Sequence, residues 1–258
     1  MPNIAIENAP NIQDDSRVQK ALKKTGNLPR HIAIIMDGDR RWAIARSLPK
    51  THGHRVAREA VRDTVGACGE LGVDMLTLYA FSTENWNRAK LEVKALMAFL
   101  YECLTEETQE LDENNVRLYA IGQLEGLPAK VQKVLGEALA QTAGNTGLQL
   151  NLALNYGGRS ELVDAIRDLA TQVQAGRLNP EDIDEDAVSG ALYTAGMPDP
   201  DLLIRTSGEM RLSNFLPWQM VYTEIWFADH VHWPDFRRPH LYEAIRAYQK
   251  RQRRFGGG

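Results

Sequence analysis

The stretch His31-Ile32-Ala33-Ile34-Ile35-Met36-Asp37-Gly38-Asp39-Arg40-Arg41-Trp42 passes from an unbroken apolar run straight into charge. The run 32–36 is rich in isoleucine and has no polar alternation, the pattern of a strand covered on both faces. Five further short apolar runs repeat it, at 75–80, 116–121, 148–154, 202–205 and 223–227. Between them lie longer stretches of helical periodicity, at 56–71, 91–114, 128–142, 160–174, 185–193 and 239–254. This alternation predicts an α/β fold, an open, mostly parallel six-stranded sheet flanked by helices on each side.

Sheets of that kind bind ligands at the carboxyl ends of their strands. The segments just beyond the predicted strands should therefore be chemically unusual, and they are. After the first strand comes 37–42, after the second Phe81-Ser82-Thr83-Glu84-Asn85-Trp86-Asn87-Arg88, and after the fourth Asn155-Tyr156-Gly157-Gly158-Arg159. Around the fifth lie Arg205-Thr206-Ser207-Gly208-Glu209 and Arg211-Leu212-Ser213-Asn214. A lone arginine is usually a solvated surface charge. Five of them (Arg40, Arg41, Arg88, Arg205 and Arg211), placed with His54 and the hydroxyls of Ser82 and Ser213, describe an anion site, because guanidinium forks match phosphate oxygens.

Asp37 and Glu224 are carboxylates within this basic set. Magnesium favours few protein carboxylates together with waters and substrate phosphates. A turn or helix-capping aspartate explains Asp37 equally well from spacing alone. The segment 91–114 carries an apolar stripe of Leu96, Phe99, Leu100, Cys103 and Leu104. Core packing is the simpler account of that stripe, and a tunnel wall for a lipid the sharper one.

Composition narrows the class. The chain has 258 residues, 43% hydrophobic, enough to bury a core without disulfides. It reads as a single domain over 29–255, between a leader 1–28 with a short helix-like piece at 18–24 and a tail 256–258. The net charge of −4 gives no footprint for nucleic acid. Cys68 and Cys103 lack metal or redox spacing and suit a reducing cytoplasm. No apolar run reaches the ~20 residues of a membrane span, so a soluble protein is expected, touching a membrane at most peripherally. The phosphate-loop, dinucleotide, serine-elbow and zinc motifs are absent, and so is a DDxxD pair.

The string 31–42 with Gly53-His54, 81–88, Asn145-Thr146-Gly147, 155–159, 201–208, Trp233-Pro234-Asp235-Phe236 and the terminal 251–257 resembles the cis-prenyltransferases in order and spacing. The likeness covers essentially all of 29–257 and is greatest to bacterial undecaprenyl diphosphate synthases. It implies a homodimer with a hydrophobic tunnel, a cytoplasmic enzyme placed at the inner membrane face by its lipid product. The implied reaction is magnesium-dependent addition of isopentenyl diphosphate to an allylic diphosphate such as farnesyl diphosphate, with new Z double bonds, giving an undecaprenyl-type precursor of the cell-wall lipid carrier. The resemblance assigns Asp37 to Mg2+ and catalysis, and Asn85 to proton acceptance, although an amide is a poor base. Gly38, Asp39, Arg40, Arg41, Trp42, Lys50 and His54 would hold the allylic diphosphate. Ser82, Thr83, Glu84, Trp86 and Arg88 would form a loop over both substrates. Arg205, Arg211, Leu212 and Ser213 would grip isopentenyl diphosphate, with Glu224 as a second metal contact.

Four positions, Asp39, Met210, Ala80 and Leu148, bear on these implied roles. The family ordinarily has asparagine where this chain has Asp39, and an ionised carboxylate beside a diphosphate should repel it. Met210 stands where some relatives have histidine, and a thioether is a poor magnesium ligand. Ala80 is small, which in family terms leaves the tunnel open for a long product, whereas Leu148 is a tunnel residue or simply a buried strand leucine. Two alternatives to a chain-elongating enzyme follow from the same scaffold. One is a catalytically silent subunit of a two-component enzyme, and the other an irregular or shorter-chain prenyl-coupling enzyme.

Overall fold

The computed structural model describes residues 12–49 and 52–252. Its six strands are β1 His31–Ile35, β2 Met75–Ser82, β3 Arg117–Ile121, β4 Gln149–Tyr156, β5 Leu202–Thr206 and β6 Glu224–Ala228. They form one sheet in the order β3-β4-β2-β1-β5-β6. Every pairing is parallel, with β1 hydrogen-bonded to β2 on one side and β5 on the other. The chain therefore departs from β1 in one direction and returns beside it from the other. That reversal opens a crevice at the carboxyl ends of β1 and β5.

The helices are α1 Ile12–Lys24, α2 Asp39–Ala45, α3 His52–Leu71, α4 Lys90–Glu113, α5 Ala129–Gln141, α6 Gly158–Gln174, α7 Glu185–Ala191 and α8 Arg238–Gln249. All five residues of β1 are buried, and the two-residue period of the strand divides them between two cores. Ile32 and Ile34 join the larger core with Leu76 and Leu78 of β2, Ala60 and Cys68 of α3, and Leu241 and Ile245 of α8. Ala33 and Ile35 join the smaller one with Tyr156, Leu203, Phe215 and Leu216. Burying each such side chain contributes roughly 1.5–3 kcal/mol, so a polar exchange in β1 would expose a defect on one face or the other.

Most predicted elements agree with the structure to within a few residues. β2 runs two residues further, to Ser82, because its ladder with β4 continues through an irregularity to the pair Ser82–Tyr156. Helix α2 has no counterpart among the predicted elements. It is only seven residues long and mostly charged at its start, and it forms because Trp42 and Ala43 bury on its inner side. The piece expected at 18–24 is the end of α1, whose Leu22 is buried. Gln19 there donates to the Tyr242 hydroxyl at 2.9 Å, and Gln249 of α8 donates to the Leu22 carbonyl at 3.0 Å. That part of the expected leader is packed onto the core. The tail 256–258 lies outside the described residues.

Candidate active site

Asp37 follows β1 at the crevice, and its backbone is unusually well tied. Its N–H donates to Thr206 Oγ1 at 3.0 Å. Its carbonyl accepts from Thr206 Oγ1 at 2.6 Å, Ser207 Oγ at 2.8 Å and the Trp233 N–H at 3.0 Å. The carboxylate bridges two arginines, with Oδ1 3.1 Å from Arg41 Nη2 and Oδ2 3.0 Å from Arg205 Nη2. Gly38 has φ +110°, and a Cβ there would lie 1.9 Å from Ser207 Oγ. Only glycine lets the loop after β1 pass this close to the loop after β5.

Arg205, at the end of β5, is 3% exposed. It donates to Ser213 Oγ at 2.7 Å and to the Arg211 carbonyl, while its Nε has no partner among the described residues. A buried guanidinium needs compensating acceptors, and Asp37 with the 211–213 loop supplies them. Arg41 donates to the Ser207 carbonyl at 2.9 Å and lies 3.5 Å from Glu209, which also pairs with Arg211. Ser207, Ser213, Asn214 and Asn155 all adopt left-handed φ, between 47° and 75°. Non-glycine residues hold that conformation at a cost, and such strain gathers at functional sites.

The loop after β2 is a 3-10 turn, Thr83–Asn87, opened by Ser82, whose N–H donates to Asn85 Oδ1 at 3.2 Å. Glu84 accepts from the Asn214 amide at 2.7 Å. Burial would raise Glu84, but the Asn214 amide and the hydroxyls of Ser82 and Thr83 outweigh it and hold its carboxyl below the usual range. Gly157 and Gly158 let these loops meet, since a Cβ would fall 2.5 Å from Thr83 Oγ1 and 2.0 Å from Pro217 Cδ respectively.

Beneath this head runs a cavity of about 1390 Å³ between α3, α4 and the sheet. Asp37, Gly38, Asp39, Arg40, Arg41, His54, Asn85 and Arg88 line its polar end. Leu96, Phe99, Leu100, Cys103 and Leu104 all line its apolar length, together with Ala80, Leu150 and Leu152. The stripe on α4 is thus a cavity wall. Leu148 is not among the lining residues and is 4% exposed, an ordinary core leucine. Burial pushes the Cys103 thiol up to about 12, which removes it as a nucleophile. Along the solvent side, Arg58 and Arg62 of α3 pair with Glu106, Glu107 and Glu110 of α4 and close the seam between the two helices.

The expected site residues therefore separate. One group surrounds the cavity mouth, and a second, Arg205, Arg211 and Ser213, adjoins it through Asp37. Leu212 packs on the smaller core. Trp42 is buried and turned away from the cavity, with Nε1 donating to Asp235 Oδ1 at 2.7 Å and Arg46 over its ring at 4.4 Å. Trp86 donates to Asn155 Oδ1 at 2.7 Å and lies outside the cavity lining. Lys50 lies outside the described residues.

The expectation that Glu224 shares the edge with Asp37 fails within one chain. Glu224 opens β6 level with Leu202, at the amino ends of the strands, and pairs with Arg251 at 2.7 Å. Sequence reasoning missed the support residues Thr206, Ser207, Asn155, Asn214 and His232, although four of the five sit in the loops that followed the predicted strands. His232 Nδ1, 2.6 Å from Ser207 Oγ, carried no signal.

The family described as putative undecaprenyl diphosphate synthase matches residues 35–256. The isoprenyl transferase of Clostridium tetani is 52% identical over 231 residues, which is 90% of each chain. That of Chlorobaculum tepidum is 50% identical over 243 residues, 94% of this chain and 91% of the relative. Among solved structures, lavandulyl diphosphate synthase from Lavandula x intermedia, in complex with dimethylallyl diphosphate, is similar with TM-score 0.86 and 38% identity over 89% of this chain and 98% of that one. A probable undecaprenyl diphosphate synthase from Campylobacter jejuni gives 0.73 and 32% over 89% and 99%. With a parallel sheet, an arginine-lined head and a long apolar cavity already in place, these matches settle the class: the chain belongs to the cis-prenyltransferase family typified by undecaprenyl diphosphate synthase, and is an isoprenyl-transferring enzyme.

Proposed function

We propose that the chain adds isopentenyl diphosphate repeatedly, in cis, to an allylic diphosphate such as farnesyl diphosphate, giving a long polyprenyl diphosphate of the lipid-carrier type. The observation that carries this is the cavity of about 1390 Å³ that joins the arginine-bearing mouth to the apolar wall formed by α4 and the sheet. Arg40, Arg41, Arg88 and His54 at the mouth would hold the allylic diphosphate, with its tail in the cavity. Arg205, Arg211 and Ser213 would hold isopentenyl diphosphate alongside, across Asp37. The paired subsites bring the double bond of one substrate to the allylic carbon of the other, and placement supplies much of the rate. Guanidinium groups already in position stabilise the charge that grows on the departing diphosphate. Asn85, at the same mouth, is the position the resemblance marks for taking up the proton.

Asp37 fits a magnesium ion of the kind that keeps its waters and substrate phosphates. Each of its oxygens spends one contact on an arginine, and no cluster of three ligating side chains exists among the described residues. When bound, magnesium would neutralise diphosphate oxygens and ease departure of the leaving group. We further propose a homodimer that works in the cytoplasm, touches the membrane only through its product and binds no nucleic acid. Among the described residues no helix is long and apolar enough to cross a membrane.

A second reading, coupling of two short allylic diphosphates, is favoured by the similarity to lavandulyl diphosphate synthase. Incubation with farnesyl diphosphate, labelled isopentenyl diphosphate and magnesium, with product length resolved, tests both. A ladder ending in long products supports elongation, and short or branched products support coupling. No product from any allylic partner would leave the catalytically silent subunit instead.

A further inference from the structure

Among the described residues, Asp39 is the carboxylate at the cavity mouth that a histidine holds. Its Oδ2 lies 2.7 Å from His54 Nδ1, and both side chains are 17% exposed. Its Oδ1 is buried with no hydrogen-bond partner among the described residues. The two residues open adjacent helices, Asp39 in the first turn of α2 and His54 in that of α3. The helices meet there closely: a Cβ on Gly53 would stand 2.2 Å from the Asp39 carbonyl oxygen. His54 itself lines the cavity, and its Nε2 has no partner among the described residues.

We infer that Asp39 is a positioning residue, which fixes the His54 ring so that Nε2 faces the diphosphate. A carboxylate only accepts, so the bond requires the proton to be on Nδ1. A residue that takes the proton of one ring nitrogen dictates both the orientation of the ring and what the other nitrogen presents. The inference deepens the proposed function and rests on it. It also reverses the expectation for this position, because repulsion and positioning predict opposite orders of affinity. If the carboxylate simply repels a diphosphate, Asp39→Ala binds it more tightly than the natural chain. If it positions His54, Asp39→Ala binds more weakly, and Asp39→Asn, which keeps an acceptor and loses the charge, binds at least as well as the natural chain.

The test is calorimetric titration of the full chain with inorganic diphosphate, using Asp39→Ala, Asp39→Asn, His54→Ala and the double variant Asp39→Ala/His54→Ala. We expect about a tenfold loss for Asp39→Ala, the scale of one charge-assisted hydrogen bond. Asp39→Asn should restore binding, and Asp39→Ala should cost nothing further once His54 is alanine. Tighter binding by Asp39→Ala, or the same loss in both backgrounds, overturns the inference. Nitrogen-15 spectra of the unliganded protein provide the independent arm. They should show the His54 proton on Nδ1 in the natural chain and Asp39→Asn, but not in Asp39→Ala. A natural chain that fails to bind diphosphate refutes the proposed function, and the spectra then still decide the role of Asp39.

Discussion

Acidification from pH 7.5 to pH 5 should remove about 2 kcal/mol of folding stability through one side chain, His31, lying 2% exposed at the start of β1. His31 Nδ1 donates to the Pro198 carbonyl at 2.7 Å, so Nε2 is bare and accepts from Thr77 Oγ1 at 2.7 Å. Thr77 in turn accepts from the Asn151 amide at 3.0 Å, which completes a polar rung across β1, β2 and β4. Burial lowers the histidine from its ordinary 6.5 to about 4, against the Pro198 bond and the charge of Asp201, which act the other way. Well above pH 6.5 the ring is neutral folded and unfolded, and the term vanishes. Between 6.5 and 4 the unfolded chain binds a proton that the folded chain refuses, so stability falls as pH falls. Below 4 the loss levels off at about 3 kcal/mol. Denaturant melts of the natural chain and of His31→Gln, from pH 7.5 to 4.5, isolate the term as the difference in their pH slopes. Parallel loss in the two proteins would refute the reasoning, since His31 would then not be a neutral buried base.

Three further outcomes are expected at the site. Ala80→Phe, which fills the cavity wall, should shift products to shorter chains on resolved chromatography, and an unchanged length distribution would place the growing lipid elsewhere. Arg205→Lys cannot reproduce the fork that reaches Asp37 and Ser213. It should raise KM for isopentenyl diphosphate by about tenfold to a hundredfold while leaving the allylic KM nearly constant, and equal changes in both would dissolve the two-subsite arrangement. Trp42→Phe loses the bond to Asp235 and should lower stability by about 1 kcal/mol in denaturant melts with KM unchanged. A KM effect without a stability effect would return Trp42 to the substrate.

Much of this molecule was legible along the chain because the relevant physics is local. A strand buried on both faces is mostly apolar, so β1, β2 and β5 announce themselves by their aliphatic runs, and the residues after them stand out by contrast. Of the glycine-dependent approaches, Gly38 lies in the loop after β1 and Gly157-Gly158 directly after β4. Helix α2 was hidden because its burial comes from Trp42 and Ala43 finding partners across the fold rather than from periodicity. His232 supports Ser207 from 25 positions away, and spacing along a chain carries no trace of such a contact.

The sequence by itself determined the α/β class, the edge on which charge would gather and, through its motifs, the family. Each of these depends on residue type and near neighbours. The tertiary structure decided three things that depend on direction. It turned the α4 stripe into a cavity wall, because a helix face acquires meaning only from what it meets. It separated Glu224 from Asp37, because in a parallel sheet a residue that opens a strand and one that follows a strand lie at opposite ends. It also paired the Asp39 carboxylate with His54, because the starts of the consecutive helices α2 and α3 are packed together there.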